Sequence, residues 1–222
     1  MSMADTLTIE SPATVVPAAT GGGSLDCLVG RFDVAMIDPP WPKKKGGIRA
    51  VRPNQGRALD YQTMTVTEIF RLLDGAIMPS ANDPHCIFLW LVDEHLTAGE
   101  AEMAKRGYRR HARLIWDKEN GVAPAFTVRY SHEYLVWYYK PTLMRVATDA
   151  RGKLTTILRE PAREHSRKPE AAYDAIKRWY PGAICADIFA REQRAGWLAW
   201  GNQTTHFAPN DRLHGREGSE AE

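Results

Sequence analysis

The chain has 222 residues, with 29 Lys and Arg against 27 Asp and Glu, a net charge of +2, and a composition that is 44 % hydrophobic and 25 % charged. That is the balance of a globular protein with room for one ordinary domain and its core. No apolar run approaches the roughly 18–20 residues that span a bilayer, and the N-terminus lacks the charged start and long apolar stretch of a secretory signal, so a cytoplasmic protein with no membrane attachment is expected. Cys27, Cys86 and Cys185 lie far apart without CxxC spacing, and the seven His show no HxxxH or HxH pairing. Both absences speak against a metal site or a disulfide framework.

Residues 1–25 are rich in Ala, Thr, Pro, Ser and Gly and read as a flexible arm, and residues 209–222 as a polar, loose tail; a catalytic domain is expected over 26–208. Within it, Phe32–Ile37 is a short apolar run suited to a buried strand. A long stretch rich in Pro, Gly and basic residues follows, and connections of that length usually carry function. Thr65 with Glu68 three residues on is a capping-box pattern, predicting a helix to about Leu73. Strands are predicted over 86–92, 108–116 and 133–139, with a helix over 94–106 stopped at Gly107 and a polar loop over 117–130. Pro169 suits the first turn of a helix running to about Tyr180, which Pro181-Gly182 ends. Strands over 183–189 and 196–200 close the pattern. The alternation predicts an α/β, three-layer Rossmann-like domain around a central, mainly parallel sheet, which places ligands at the carboxyl ends of its strands.

Asp38-Pro39-Pro40-Trp41 stands at such an end, directly after the first strand. Its chemistry suits an exocyclic amino group on a purine, whose nitrogen is a poor nucleophile because the lone pair is delocalised into the ring. A carboxylate (Asp38) and a backbone carbonyl (Pro39) can each accept one N–H, drawing the nitrogen toward tetrahedral geometry. Pro39 and Pro40 stiffen the backbone that aims them, and Trp41 offers a flat face for an extruded base. The competing reading is a strand ending in a Pro-Pro turn, with Asp38 as a cap and Trp41 in the core.

The chain resembles the MT-A70-like family of N6-adenine methyltransferases, over most of its length. The tetrapeptide resembles that family's catalytic motif; Tyr61-Gln62-Thr63-Met64 its Tyr-x-Thr-Met element; Phe88-Leu89-Trp90-Leu91 its second core strand; and His132-Glu133-Tyr134-Leu135-Val136 a strand whose Glu lines the site. Ser166-Arg167-Lys168-Pro169-Glu170 resembles the segment opening the next helix, Asp187-Ile188-Phe189-Ala190-Arg191 the cofactor strand, and Gly201-Asn202-Gln203 the closing motif. The catalytic strand precedes the cofactor strand, which resembles the permuted, β-type order of amino-methyltransferases and accounts for the lack of a GxGxxG fingerprint. The resemblance implies S-adenosylmethionine as cofactor. It implies that Lys168 pairs with the cofactor carboxylate, that Ser166 holds the methionine portion, and that Arg191, Asn202 and Gln203 bond its ribose and adenine. Ile37, Asp38, Asp187 and Phe189 are expected to border the same ligand. Trp41, Tyr61, Glu133, Arg167 and the Lys43-Lys44-Lys45 run are expected on the substrate side. One departure stands out: where the family often shows Pro-His-Asn after the arginine, this chain has Glu192-Gln193-Arg194, which does not match the family's second ribose contact.

Two basic runs gain meaning from their placement. Lys43, Lys44, Lys45, Arg49, Arg52 and Arg57 lie between the tetrapeptide and Tyr61, and Arg159, Arg163 and Arg167 lie just before Lys168. Both are expected to rim the pocket and guide a phosphate chain. The expected activity is therefore methylation of adenine N6 in a nucleic acid, DNA ahead of RNA. The alternatives are an RNA adenosine methyltransferase and a catalytically silent nucleic-acid-binding partner subunit; the partners that so small a domain invites are a second copy of itself, as a homodimer, or a related partner subunit.

Overall fold

The structure is a computed structural model that describes residues 31–42, 62–119, 128, 130–163 and 166–207. The expected arm and tail, the basic residues from Lys43 to Arg57, Tyr61 and Cys27 lie outside the described residues.

In chain order the elements are β1 (Phe32–Ile37), α1 (Val66–Leu72), β2 (Ala81–Leu91), α2 (Asp93–Lys105), β3 (Arg109–Asp117), β4 (His132–Lys140), β5 (Ile157–Arg159), α3 (Glu170–Trp179), β6 (Cys185–Ile188) and β7 (Trp197–Trp200). They build a seven-stranded sheet in the order β5-β3-β4-β2-β1-β6-β7. β1 pairs in parallel with both β2 and β6, β6 with β7 and β3 with β5. β4 alone runs against the others, antiparallel to β2 and β3. The sheet is thus mainly parallel, with one reversed strand inside it.

The sheet's two faces are covered by different helices, giving three layers. Side chains of β1 alternate between them: Ala35 and Ile37 join Ile69 and Phe70 of α1 and Met103 of α2, while Val34 and Met36 join Ala172, Ile176 and Trp179 of α3. α3 buries Ala172, Ala175, Ile176 and Trp179, an i, i+3, i+4, i+7 stripe. Each large apolar side chain fully withdrawn from water in these layers contributes roughly 1.5–3 kcal/mol.

Local chemistry sets the element ends. The capping box at Thr65 forms as the sequence predicts: the Thr65 hydroxyl accepts from the Glu68 N–H, and the Glu68 carboxylate accepts from the Thr65 N–H. α1 then runs on through a π-helical turn, Leu73–Ile77, and a 3-10 turn, Met78–Ser80, which the sequence pattern does not foretell. Gly107, at φ +77°, stops α2 in a conformation that residues with a Cβ rarely take. β5 is the one strand missed by the sequence reading, and its three residues pair only with the end of β3. Among the described residues no helix is long and apolar enough to cross a membrane.

β1 sits at the point that positions the site. Its neighbours are β2 and β6; the chain leaves β1 toward α1 on one face and enters β6 from α3 on the other. The carboxyl ends of β1 and β6 therefore open into a crevice at a topological switch point.

Candidate active site

Asp38-Pro39-Pro40-Trp41 occupies that crevice. Two consecutive prolines lack the N–H that a ladder needs, so β1 stops and the chain turns out of the sheet. The turn is pinned from several sides. The Asp38 N–H donates to the Ile188 carbonyl (3.2 Å), the Met64 N–H to the Pro40 carbonyl (2.9 Å), and the Trp41 indole N–H to the Trp90 carbonyl (2.9 Å). His95 of α2 holds the Pro42 carbonyl through Nε2 (2.7 Å) and stacks on Trp41, with ring centroids 5.4 Å apart. The Trp41 N–H donates to the Pro39 carbonyl (2.8 Å), closing a three-residue turn and leaving that oxygen one further lone pair.

The cleft over this turn has a volume of about 860 Å³. Among the sequence-derived candidates it is lined by Asp38, Pro39, Pro40, Trp41, Glu133, Ser166, Arg167, Lys168, Phe189, Arg191, Asn202 and Gln203. Two candidates stand elsewhere. Ile37 is wholly buried in the core and pairs with Leu89 and Ile188, so its side chain does not reach the cleft. Asp187 lines a small recess behind Asp38 and Lys168; the Tyr173 hydroxyl of α3 donates to its Oδ2 (3.0 Å). Trp41 borders the cleft but is only 7 % exposed and packs within the core cluster.

Four charged side chains form a chain across the cleft floor. Lys168 Nζ lies 2.8 Å from Asp38 Oδ1 and 3.1 Å from Glu133 Oε2, and Lys118 Nζ lies 2.7 Å from Glu133 Oε1. Lys168 Nζ also sits 5.3 Å from the Trp90 ring centroid. Burial pushes the Asp38 carboxyl above its ordinary value, and Lys168 only partly counters it. Burial works the same way on Glu133, but Lys168 and Lys118 together outweigh it and hold that carboxyl at about 2. For Lys168 burial disfavours the ammonium, yet the two carboxylates overcome it and raise its pKa, so it is cationic at neutral pH. Lys118 escaped the sequence reading. It follows β3, and the antiparallel register that sets Trp116 opposite Glu133 brings it there. His95, Trp90 and Trp116 also line the cleft and were not singled out as site residues from the sequence.

The second basic run does not present free charge to the cleft. Arg163 and Arg167 line the cleft as expected and Arg159 does not, but Arg163 pairs with Glu160 and Glu170 (3.6 and 2.8 Å) and Arg167 with Glu192 (3.0 Å). The first N–H groups of α3 are also taken, since Glu160 accepts from Glu170 and Ala171 (3.0 and 2.9 Å). Glu192 and Arg194, part of the departing tripeptide, turn toward each other (2.8 Å) and away from the cleft.

At the β6 end the chain comes very close to itself. A Cβ on Gly201, at φ +155°, would lie 3.1 Å from both the nitrogen and the oxygen of Ala190. This approach sets Asn202 and Gln203 beside Phe189 and Arg191 on one wall. Among the described residues no group of three or more His, Cys, Asp or Glu is placed to hold a metal ion.

A model of the MT-A70 family matches residues 32–203. The chain belongs to the MT-A70 family. It is 29 % identical over 181 residues to an N(6)-adenosine-methyltransferase MT-A70-like protein of Arabidopsis thaliana, covering 79 % of this chain and 24 % of that one. It is 27 % identical over 183 residues to the N(6)-adenosine-methyltransferase catalytic subunit METTL3 of Homo sapiens, covering 79 % and 29 %. It is also 24 % identical over 188 residues to the type II methyltransferase M.MunI of a Mycoplasma species, covering 77 % of each. The chain thus spans less than a third of the length of the two adenosine-methyltransferase relatives. As an MT-A70 domain it carries its tetrapeptide at the floor of the cleft, where the fold offers a ligand site.

Proposed function

We propose that this chain methylates the N6 amino group of adenine in a nucleic acid, DNA ahead of RNA, with S-adenosylmethionine as donor. The observation that carries the reading is the pair of acceptors at the cleft floor, the Asp38 carboxylate and the Pro39 carbonyl, fixed by a turn pinned to β6, β2 and α2.

The residues present fit such a cofactor. The cleft's volume of about 860 Å³ lies within the roughly 300–1,000 Å³ usual for small-molecule sites. Asn202, Gln203 and Arg191 supply donors and acceptors for a nucleoside, Phe189 an aromatic wall, and Ser166 and Lys168 a hydroxyl and an ammonium for an amino-acid carboxylate. When bound, S-adenosylmethionine supplies a methyl group on a positively charged sulfur, which departs without acid assistance. Asp38 and Pro39 each accept a hydrogen bond from one N–H of the adenine NH₂ and orient its lone pair, and the proton that the nitrogen loses once its bond to the methyl carbon has formed leaves through the Asp38 carboxylate. Lys168 favours the ionised Asp38 that this task requires. Catalysis is positioning and electrostatics, with no strong base ahead of attack. We assign the base to Trp41 and Glu133 and the phosphates to Arg167; Tyr61, Lys43, Lys44 and Lys45, which lie outside the described residues, are assigned to the base and the phosphates on sequence alone. Arg167 attracts phosphate less strongly because Glu192 already neutralises it.

The preference for DNA rests on the compact single domain, an extent that the type II methyltransferase M.MunI matches over 77 % of both chains. The second reading, RNA, is favoured by the higher identity to the adenosine-methyltransferase relatives. Incubation with tritiated cofactor and either duplex DNA or RNA of the same sequence separates them. The expected result is label in the DNA; label in RNA alone moves the assignment to the second reading, and label in neither removes both.

A further inference from the structure

We propose that Glu192 is a positioning residue that, through Arg167, holds Lys168 at the cleft floor; the inference rests on the cofactor reading above. Arg167 and Lys168 are adjacent, and their side chains diverge. Lys168 reaches into the cleft to Asp38 and Glu133. Arg167 borders the cleft as well but turns its guanidinium to Glu192, where its Nε and Nη2 both donate to the carboxylate at 3.0 Å. This two-point, planar contact fixes the direction of Arg167, and with it the backbone from which Lys168 departs. The backbone there needs fixing. Ser166, one residue earlier, sits at φ +66° without being a glycine, a conformation that persists only where the surroundings enforce it.

Glu192 is suited to the task. It is 4 % exposed, and a carboxylate that deep is stable only when well paired. Arg194 gives it a second partner at 2.8 Å and is itself held over the Tyr173 ring, 3.7 Å from the centroid. Glu192 also follows Arg191 directly, so one clamp ties the β6 wall of the cleft to the Lys168 wall.

Titration calorimetry of S-adenosylhomocysteine into the full chain tests this. Glu192→Ala is expected to weaken binding about tenfold or more, and Arg167→Ala by a similar factor. The double variant is expected to bind within about twofold of the Glu192→Ala single, as for two residues acting through one contact. Glu192→Gln, which keeps the shape but loses the charge, is expected to fall between wild type and Glu192→Ala; it carries the test alone if the alanine variant does not fold. Thermal melts of the same proteins separate affinity from stability. Lowered melting with unchanged affinity in the folded variants overturns the proposal, and so do losses that multiply in the double variant. A wild-type chain that binds no S-adenosylhomocysteine overturns the cofactor reading itself.

Discussion

Asp38 carries most of the proposed chemistry, and its environment makes that chemistry pH-dependent. Burial raises its pKa while Lys168 holds it down, so activity is expected to fall on the acid side as the carboxylate is protonated. Replacing Lys168 by Met removes the opposing charge. The acid limb of the pH–rate profile then moves to higher pH; an unmoved limb dissociates Lys168 from the ionisation of Asp38. Asp187 gives a separate signature in stability. Burial, partly offset by the Tyr173 hydrogen bond and Arg194, pushes its carboxyl up to about 7. The folded chain therefore holds a proton that the unfolded chain has released between the ordinary value of 3.8 and about 7. This contribution to stability is complete below 3.8 and is lost as pH rises toward 7. Urea denaturation at a series of pH values should show wild type losing stability relative to Asp187→Asn between pH 3.8 and about 7; parallel curves would contradict a raised carboxyl. At this scale the sequence speaks unevenly. Asp38 was legible because Pro-Pro after an apolar strand has few structural uses. Lys118 was not, because its partner Glu133 is brought to it only by the β3–β4 register. Ile37 adjoins the tetrapeptide in sequence, yet strand alternation turns its side chain into the core, and Asp187, within the cofactor-strand motif, bonds Tyr173 of α3 in the recess beside Asp38.

The elements that position these side chains carry their own tests. α1 begins at the Thr65 capping box, one residue after Met64, whose N–H anchors the Pro40 carbonyl. Thr65→Ala is expected to lower stability by about 1 kcal/mol, measured by denaturant titration; no change would mean the cap is redundant. Gly201 allows the close approach that brings Asn202 and Gln203 to the cleft, and a Cβ there would meet the Ala190 backbone at 3.1 Å. Gly201→Ala is expected to destabilise the chain by roughly 1–3 kcal/mol and to weaken cofactor binding; a variant with wild-type stability and affinity would show that the wall does not need that approach. Elements with a strong period and clear punctuation were legible, as with β1 between its polar flanks and α3 between Pro169 and Pro181. β5 was not, because three residues paired at one strand end leave no periodic trace. Nor was the π-helical turn after α1, since switching from i+4 to i+5 bonding leaves no mark in the apolar spacing.

For the molecule as a whole, three layers, a topological switch point and a pinned Asp-Pro-Pro-Trp turn converge on one cleft. The order of motifs along the chain foretold this convergence better than any single residue did, because the parallel crossovers bring β1 and β6 side by side although they lie far apart in sequence. The reversal of β4 was not foretold, since apolar runs carry no sign of strand direction. The central claim is that Asp38 and Pro39 grip an adenine amino group for methylation. The most direct measurement is mass spectrometry of nucleosides from duplex DNA treated with wild-type chain or with Asp38→Ala in the presence of isotopically labelled cofactor. Labelled N6-methyladenine from the wild type, reduced at least about a hundredfold with Asp38→Ala, is the result expected. Label on another base or another atom of adenine, or equal N6-methyladenine from both proteins, would contradict it.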